Sequence, residues 1–235
     1  MKAGSVLPLT TIMDRLRSRV GSPHAPSITD PFQQILLEQV AYLATDEKRL
    51  KAFQLLKSRV GLEPEDILSA SDESLLEVAS SGGSIAASRR ASRLRESAWM
   101  VCEKWDGDLT TILSLPHKEA SRALSKFAMI GKPGADKILL LAGVSSKPAL
   151  DSNGLRVLLR IGYGTEDKNY DKSYRTVMEE IVSQSPMTTE TTLEAHLVLK
   201  EHGRTVCKRS SPACKECPLE DGCEYGRNNS GPRRG

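Results

Sequence analysis

The chain predicts an all-α fold, and three observations carry that prediction. Apolar residues recur three or four apart along much of the sequence, the spacing of one face of a helix, as in Phe32, Ile35, Leu36, Val40 and Leu43. No run with strand-like alternation reaches a useful length. Helix-start signals stand before many of the apolar stretches: an Asp or Ser cap, or a proline in the first turn, at Asp30-Pro31, Pro64, Ser71 and Asp151.

A length of 235 residues allows one domain or two small ones. The apolar share of 39% is enough for a core and argues against wholesale disorder. A net charge of +3 permits a nucleic-acid partner without demonstrating one, because the placement of charge decides. No apolar run is long enough to cross a membrane. The N-terminal MKAGSVLPLTTIMDRL, broken by Pro8 and polar residues, does not read as a signal peptide. The expectation is a cytoplasmic, reducing location without membrane contact, where cysteines serve as ligands more readily than as disulfides.

In order, residues 8–20 read as a short amphipathic helix with Ile12, Leu16 and Val20 on one face, and GSPHAPSITD as a loop. Asp30-Pro31 starts a helix that Ala44-Thr45-Asp46 ends, and residues 46–59 form the next. Pro64 begins a short helix and Ser71 caps another, with Asp72 and Glu73 at its positive end. After the loop Ser80–Ser84, a helix carries Arg89, Arg90, Arg93 and Arg95 and continues through Trp99 and Val101. Arginines at this density suit phosphate contacts or a solvated face equally. Cys102, beside Val101 and Trp105, reads as a buried structural thiol. Asp106-Gly107-Asp108 is a turn, and Leu115-Pro116 opens the next helix.

The segment Phe127–Arg156 holds two helix starts. Ile130, Gly131, Lys132, Pro133 and Gly134 form a glycine-bounded hairpin. Pro133 suits a first helical turn, the glycines allow close backbone approach, and the new helix offers N–H groups to a phosphate. The apolar run Ile138–Val144 buries that helix. Asp151-Ser152-Asn153 then precedes LRVLLR, where Asp151 is an N-cap candidate. Beyond a break at Gly162-Tyr163-Gly164 lie a charged segment, 166–172, and helices over 173–182 and 187–200. A polar tail follows Glu224.

Cys207, Cys214, Cys217 and Cys223 follow C-x6-C-x2-C-x5-C. Four thiolates this close make a compact four-sulfur site for zinc or an iron–sulfur cluster, and spacing alone does not choose between them. Lys208, Arg209 and Lys215 in this loop can meet phosphates or simply be solvated. His196 and His202 read as packing or capping residues.

These segments resemble the endonuclease III superfamily of helix-hairpin-helix DNA glycosylases. The family hairpin typically reads L-P-G-V-G-x-K-T-A, with an aspartate eighteen residues after the lysine. Phe127–Ala135 covers that hairpin without gaps, and Asp151 falls on the aspartate. Ala128-Met129 replaces the usual Pro-Gly, and Pro133 stands where the lyase members carry their Schiff-base lysine. Pro31–Asp46 resembles the family's P-F-x-x-L-x-x-x-x-L-x-x-x-A-T-D, which sets Leu43 where endonuclease III has a glutamine that enters the duplex. Leu43 is then an apolar wedge or merely core. The cysteine spacing, with His202-Gly203-Arg204 before it and Glu224-Tyr225 after it, matches the family's [4Fe-4S] loop. GKPGAD also looks like the segment of mismatch-specific thymine glycosylases, which lack the lysine too.

The resemblance implies an all-α, two-domain helix-hairpin-helix DNA glycosylase fold. A six-helix barrel domain, 31–140, ends in the hairpin and is inserted in a discontinuous cluster-bearing domain, 1–30 plus 141–235, with its cluster loop at 207–223. The hairpin and Asp151 are expected at the cleft between them. It implies a monomeric base-excision enzyme acting on double-stranded DNA with a lesion or mismatch. Asp151 is the catalytic carboxylate, and Ile130, Gly131, Lys132, Gly134, Leu43, Lys208, Arg209 and Lys215 contact DNA. Cys207, Cys214, Cys217 and Cys223 hold a [4Fe-4S] cluster. Pro133, which has no amine, points to a monofunctional glycosylase. The alternatives are a glycosylase/lyase using Lys132 or Lys137 and a non-catalytic iron–sulfur DNA-binding protein. Glu38, Gln39, Tyr42, Trp105 and Tyr163 are candidates for the base pocket, and the identity of the base is not legible.

Overall fold

In the computed structural model, which describes residues 6–21, 23, 27–184 and 187–229, no strand occurs among the described residues. Parts of the 21–30 loop and the end of the C-terminal tail lie outside them. The helices are α1 (Leu9–Val20), α2 (Pro31–Gln39), α3 (Asp46–Arg59), α4 (Pro64–Ser69), α5 (Asp72–Ser81), α6 (Ala87–Trp105), α7 (His117–Leu124), α8 (Lys132–Leu141), α9 (Ser152–Ile161), α10 (Tyr170–Gln184), α11 (Thr189–Thr205) and α12 (Glu224–Asn229). The chain divides into two compact units, Ser27–Val144 and the discontinuous Met1–Pro26 with Ser145–Gly235.

Local chemistry sets the helix starts of the 27–144 unit. Asp30 accepts the Gln33 N–H at 2.8 Å ahead of Pro31, Thr45 accepts that of Lys48, and Ser71 that of Ser74. Each supplies an acceptor to one of the N–H groups that a helix start leaves unpaired. The buried stripe of α2 (Phe32, Ile35, Leu36) packs with Phe53 and Leu56 of α3, Leu94 and Val101 of α6, Leu124 of α7 and Ile138 of α8. Burying a side chain of this size stabilises by about 1.5–3 kcal/mol. Burial of α8 stops sooner than the sequence suggests: Leu140 is enclosed, whereas Val144 is exposed. A 3-10 turn, Leu109–Ser114, fills the approach to α7. Cys102 is half-buried beside Glu65, not enclosed, because its flank of α6 faces the end of α4 and not the core.

The arginines of α6 divide between two roles. Arg90 is fully buried. Its Nε donates to the Ile85 carbonyl at 3.1 Å, and its Nη atoms donate to the carbonyls of Val40 and Gly83. Arg95 holds the α4–α5 connection through the Leu68 and Ala70 carbonyls and Asp72. Arg89 is exposed and Arg93 half-buried, so only these two keep the surface roles, phosphate contact or solvated face, read for all four. The Val40 carbonyl that Arg90 caps also lies 2.0 Å from where a Cβ on Gly82 would stand, so the chain passes this close only because residue 82 is glycine.

In the discontinuous unit, α1 buries Leu9, Ile12 and Leu16 against Leu158 and Ile161 of α9, Tyr174 and Val177 of α10, and Val198 and Leu199 of α11. α10 starts at Tyr170, inside the stretch read as a charged segment, because the Asn169 side chain accepts the Asp171 N–H at 2.9 Å. α11 runs to Thr205, through the His202-Gly203-Arg204 read as a lead-in. Gly203 lets it lie against α9: a Cβ there would stand 2.8 Å from both Cβ and O of Asn153. Glu224–Asn229 form α12 at the start of the expected polar tail, whose remainder lies outside the described residues.

Candidate functional site

Two groups of residues matter, one in each unit. In the 27–144 unit, Phe127 and Ile130 are buried, and the Ile130 N–H donates to the Phe127 carbonyl at 3.1 Å. Ile130 therefore anchors the hairpin, with its N–H used inside the protein. Gly131 is the N-cap of α8, and Lys132 and Pro133 open the helix. The amides of Gly131 and Gly134 take no partner among the described residues, which leaves them for a ligand. Neither glycine adopts a positive φ. The left-handed residue of the hairpin is Met129, at φ +69°.

Two lysines could replace the missing Schiff-base amine, and both are engaged. Lys132 donates to the buried carboxylate of Asp136 at 2.8 Å. Lys137 is paired with Glu38, which also binds Arg49. The Glu38 side chain is about 24% exposed. Burial raises its carboxyl pKa, but Lys137 and Arg49 outweigh burial and hold it down at about 2.

Leu43 sits on the α2–α3 connection at φ +51° with 79% of its surface exposed. That exposure rules out the core reading. A leucine in the left-handed region costs roughly 1–2 kcal/mol, and such strain persists where the surroundings impose it. Arg90 clamps the Val40 carbonyl just before this connection. Of the pocket candidates, Tyr42 is exposed. Gln39 and Tyr163 are enclosed, and Tyr163 donates to the Leu7 carbonyl at 2.8 Å. Trp105 packs partly buried against the core. A groove of this unit, lined by Leu68, Leu75, Leu76, Ala91 and Trp99, carries none of the candidate residues.

In the discontinuous unit Asp151 caps α9. Its Oδ1 accepts the N–H groups of Asn153 at 2.9 Å and Gly154 at 2.8 Å, and among the described residues its Oδ2 takes only the Asn153 side-chain amide, at 3.3 Å. An ionised carboxylate accepts about four hydrogen bonds, so Oδ2 keeps capacity for another partner. Tyr170, which the sequence did not single out, lies within the field of Asp151: burial and then that carboxylate push its phenol up to about 12.

Cys207, Cys214, Cys217 and Cys223 are free thiols that line one small cavity with Val206, Pro212 and Ala213. Among the described residues no group of three His, Cys, Asp or Glu side chains is placed to hold a metal ion. The four sulfurs lining one cavity are the donor type that an iron–sulfur cluster takes. Burial pushes the Cys217 thiol up to about 11. Thiols this enclosed ionise readily only when cations take them together. Donors are already aimed at the sulfurs: Arg160 at Cys207 (3.4 Å) and the Gly226 N–H at Cys223 (3.4 Å). His202 Nε2 lies 3.5 Å from Cys217 Sγ, a neighbour that spacing along the chain did not reveal. His196 meets the Ala149 carbonyl. Arg160 also binds the carbonyls of Lys208 and Arg209 and lies over the Tyr225 ring, while Lys208, Arg209 and Lys215 point their charges to solvent.

An all-helical chain with this hairpin, a capping aspartate and a four-cysteine loop has the architecture of the helix-hairpin-helix glycosylases. No family model matches the sequence. It is 27% identical over 203 residues to endonuclease III of Sulfolobus acidocaldarius, covering 84% of this chain and 83% of that one. It is 33% identical over 147 residues to adenine DNA glycosylase of Mycolicibacterium smegmatis, covering 61% and 45% of the two chains. The fold matches a trapped endonuclease III–DNA covalent intermediate with TM-score 0.76 at 21% identity, covering 96% of this chain and 100% of the other. It matches a thermostable thymine-DNA glycosylase with TM-score 0.72 at 20% identity, over 94% and 95%. The chain thus has the helix-hairpin-helix glycosylase fold and is similar over most of its length to endonuclease III.

Proposed function

We propose that this protein is a monofunctional base-excision DNA glycosylase, which removes a damaged or mismatched base from double-stranded DNA and leaves an abasic site. Two observations, one in each unit, carry the reading: Pro133 stands in the first turn of α8, and Asp151 caps α9 with an Oδ2 that has spare acceptor capacity. Cleaving an N-glycosidic bond leaves positive charge on the sugar as the base departs with the bonding electrons. A nearby carboxylate stabilises that charge and takes a proton from the attacking water. Asp151 does this while capping α9.

The hairpin amides of Gly131 and Gly134, together with Lys132, hold the backbone phosphates, and exposed Leu43 fills the stack while the nucleotide is extruded. The cysteines hold a [4Fe-4S] cluster, which supplies a rigid anchor for the loop bearing Lys208, Arg209 and Lys215. This makes DNA the partner. The barrel domain is 31–140, where six helices were expected and seven, α2 to α8, occur, and the cluster-bearing domain is 1–30 plus 141–235. The lyase alternative requires Lys132 to leave Asp136, or Lys137 to leave Glu38 and Arg49, and to shed a proton before attack; these pairings favour the monofunctional reading. Borohydride trapping during turnover tests it: no protein–DNA adduct is expected, and a trapped adduct sinks it.

A further inference from the structure

The hairpin turn contains a residue that its backbone geometry disfavours, and a buried side chain lies behind it. The hydrogen bond from Ile130 N–H to the Phe127 carbonyl closes a four-residue turn with Ala128 and Met129 at its centre. Met129 has φ +69°, while Ala128 is not among the residues of positive φ. That sign pattern defines a type II turn, which prefers glycine or asparagine at its third residue. For methionine, the type I alternative is the easier turn. The two differ by a reversal of the central peptide, here Ala128–Met129.

Gln39 fixes which way that peptide faces. It is fully buried at the end of α2. Its Nε2 donates to the Ala128 carbonyl at 3.0 Å and to Ser97 Oγ at 2.8 Å, and the Ser97 hydroxyl is within reach of its Oε1 at 3.1 Å. The peptide is trans, so its N–H points opposite to its carbonyl. With the Ala128 oxygen held from inside, the Met129 N–H faces away from Gln39. Reversing the peptide would strip the Gln39 amide of an acceptor in a buried site and turn the N–H inward.

We propose that Gln39 is a positioning residue for the DNA-binding hairpin: it holds the Ala128–Met129 peptide in the type II orientation, so that the Met129 N–H is presented as a backbone donor to a DNA phosphate. The phosphate role rests on the glycosylase reading above; the control of the turn does not. Gln39 thereby stands in for the glycine that such a turn ordinarily uses. The same side chain fastens the hairpin to the end of α2 that leads to Leu43.

The test compares Gln39→Leu, Met129→Gly and the double variant. The readouts are affinity for an undamaged duplex at fixed salt, melting temperature, and the NMR cross-peak between Ala128 Hα and the Met129 amide, which is strong in a type II turn and weak in type I. Gln39→Leu should lose that cross-peak and bind duplex about tenfold more weakly, the loss of one charge-assisted hydrogen bond. Adding Met129→Gly should restore both, since glycine accepts the left-handed conformation unaided. If Gln39→Leu alone does not fold, Met129→Gly and the double variant are compared and should bind equally. A folded Gln39→Leu that keeps the cross-peak and binds like the parent overturns the proposal, as does a double variant that stays weak. A parent that shows the cross-peak but binds no duplex overturns the glycosylase reading and the phosphate role together, leaving the control of the turn standing.

Discussion

Arg156 Nε donates to the Cys207 carbonyl at 3.0 Å, joining the helix that Asp151 caps to the first residue of the cysteine loop. The connection runs on in both directions. Arg156 Nη2 also reaches the Gly203 carbonyl at 2.7 Å and Asn153 Oδ1 at 2.9 Å, and Asn153 in turn donates to Asp151. One guanidinium therefore spans the start of α9, the end of α11 and the cysteine loop, with Gly203 permitting the close approach.

Removing that guanidinium should loosen the loop. Arg156→Ala is expected to destabilise the protein by about 1.5–3 kcal/mol, the range for hydrogen bonds made by a charged group. The visible absorbance of the loaded cluster should bleach faster in air. Equal bleaching rates in parent and variant would show that Arg156 does not support the loop.

Met129→Gly should be stabilising. Relieving one left-handed non-glycine residue is worth about 1 kcal/mol, or roughly a 2–4 °C rise in Tm for a chain of this size. Calorimetry reads this directly, and an unchanged or lower Tm would mean that the methionine side chain compensates through its packing.

Glu38 should make stability depend on acid. Its folded pKa of about 2 lies below the ordinary 4.5. The associated stability is present above pH 4.5 and is lost as pH falls through about 2. Glu38→Gln should cost on the order of 3 kcal/mol at neutral pH, a difference that shrinks as acid is added. Chemical denaturation of parent and variant across pH 2–6 tests the sign, and a gap that widens in acid would contradict it.

Asp151→Asn separates the two roles of that side chain. Asparagine caps a helix about as well as aspartate, so Tm and duplex affinity should hold. Excision should fall by about 10²–10⁴-fold, as for loss of an acid–base group. Equal excision by both proteins, in single-turnover assays, would leave Asp151 as a cap alone.

What was legible in the sequence follows the range of the interactions. The all-α class and most helix starts rest on contacts within a few residues, such as Asp30 with Gln33 and Ser71 with Ser74, and these could be read directly. The capping of α10 by Asn169 was equally local, but a run of charges masked it. Arg90 could not be placed. Its acceptors are backbone carbonyls, one of them 50 residues away, and carbonyls carry no sequence signal. The same holds for Gln39 and Ala128, 89 residues apart, and for His202 beside Cys217. Exposure of Leu43 depended on a left-handed backbone that its helical spacing concealed. The base pocket stays unread for a related reason: its candidates included Gln39 and Tyr163, which fit a cleft by residue type and lie in cores.

The central claim is excision without strand cleavage, and single-turnover reaction of cluster-loaded protein with a panel of lesion and mismatch duplexes tests it most directly. Each reaction is divided and read with and without alkali. Cleavage that appears only after alkali, on at least one duplex, is the predicted result and identifies the base. Strand cleavage without alkali would contradict the account and send attention to Lys132 and Lys137.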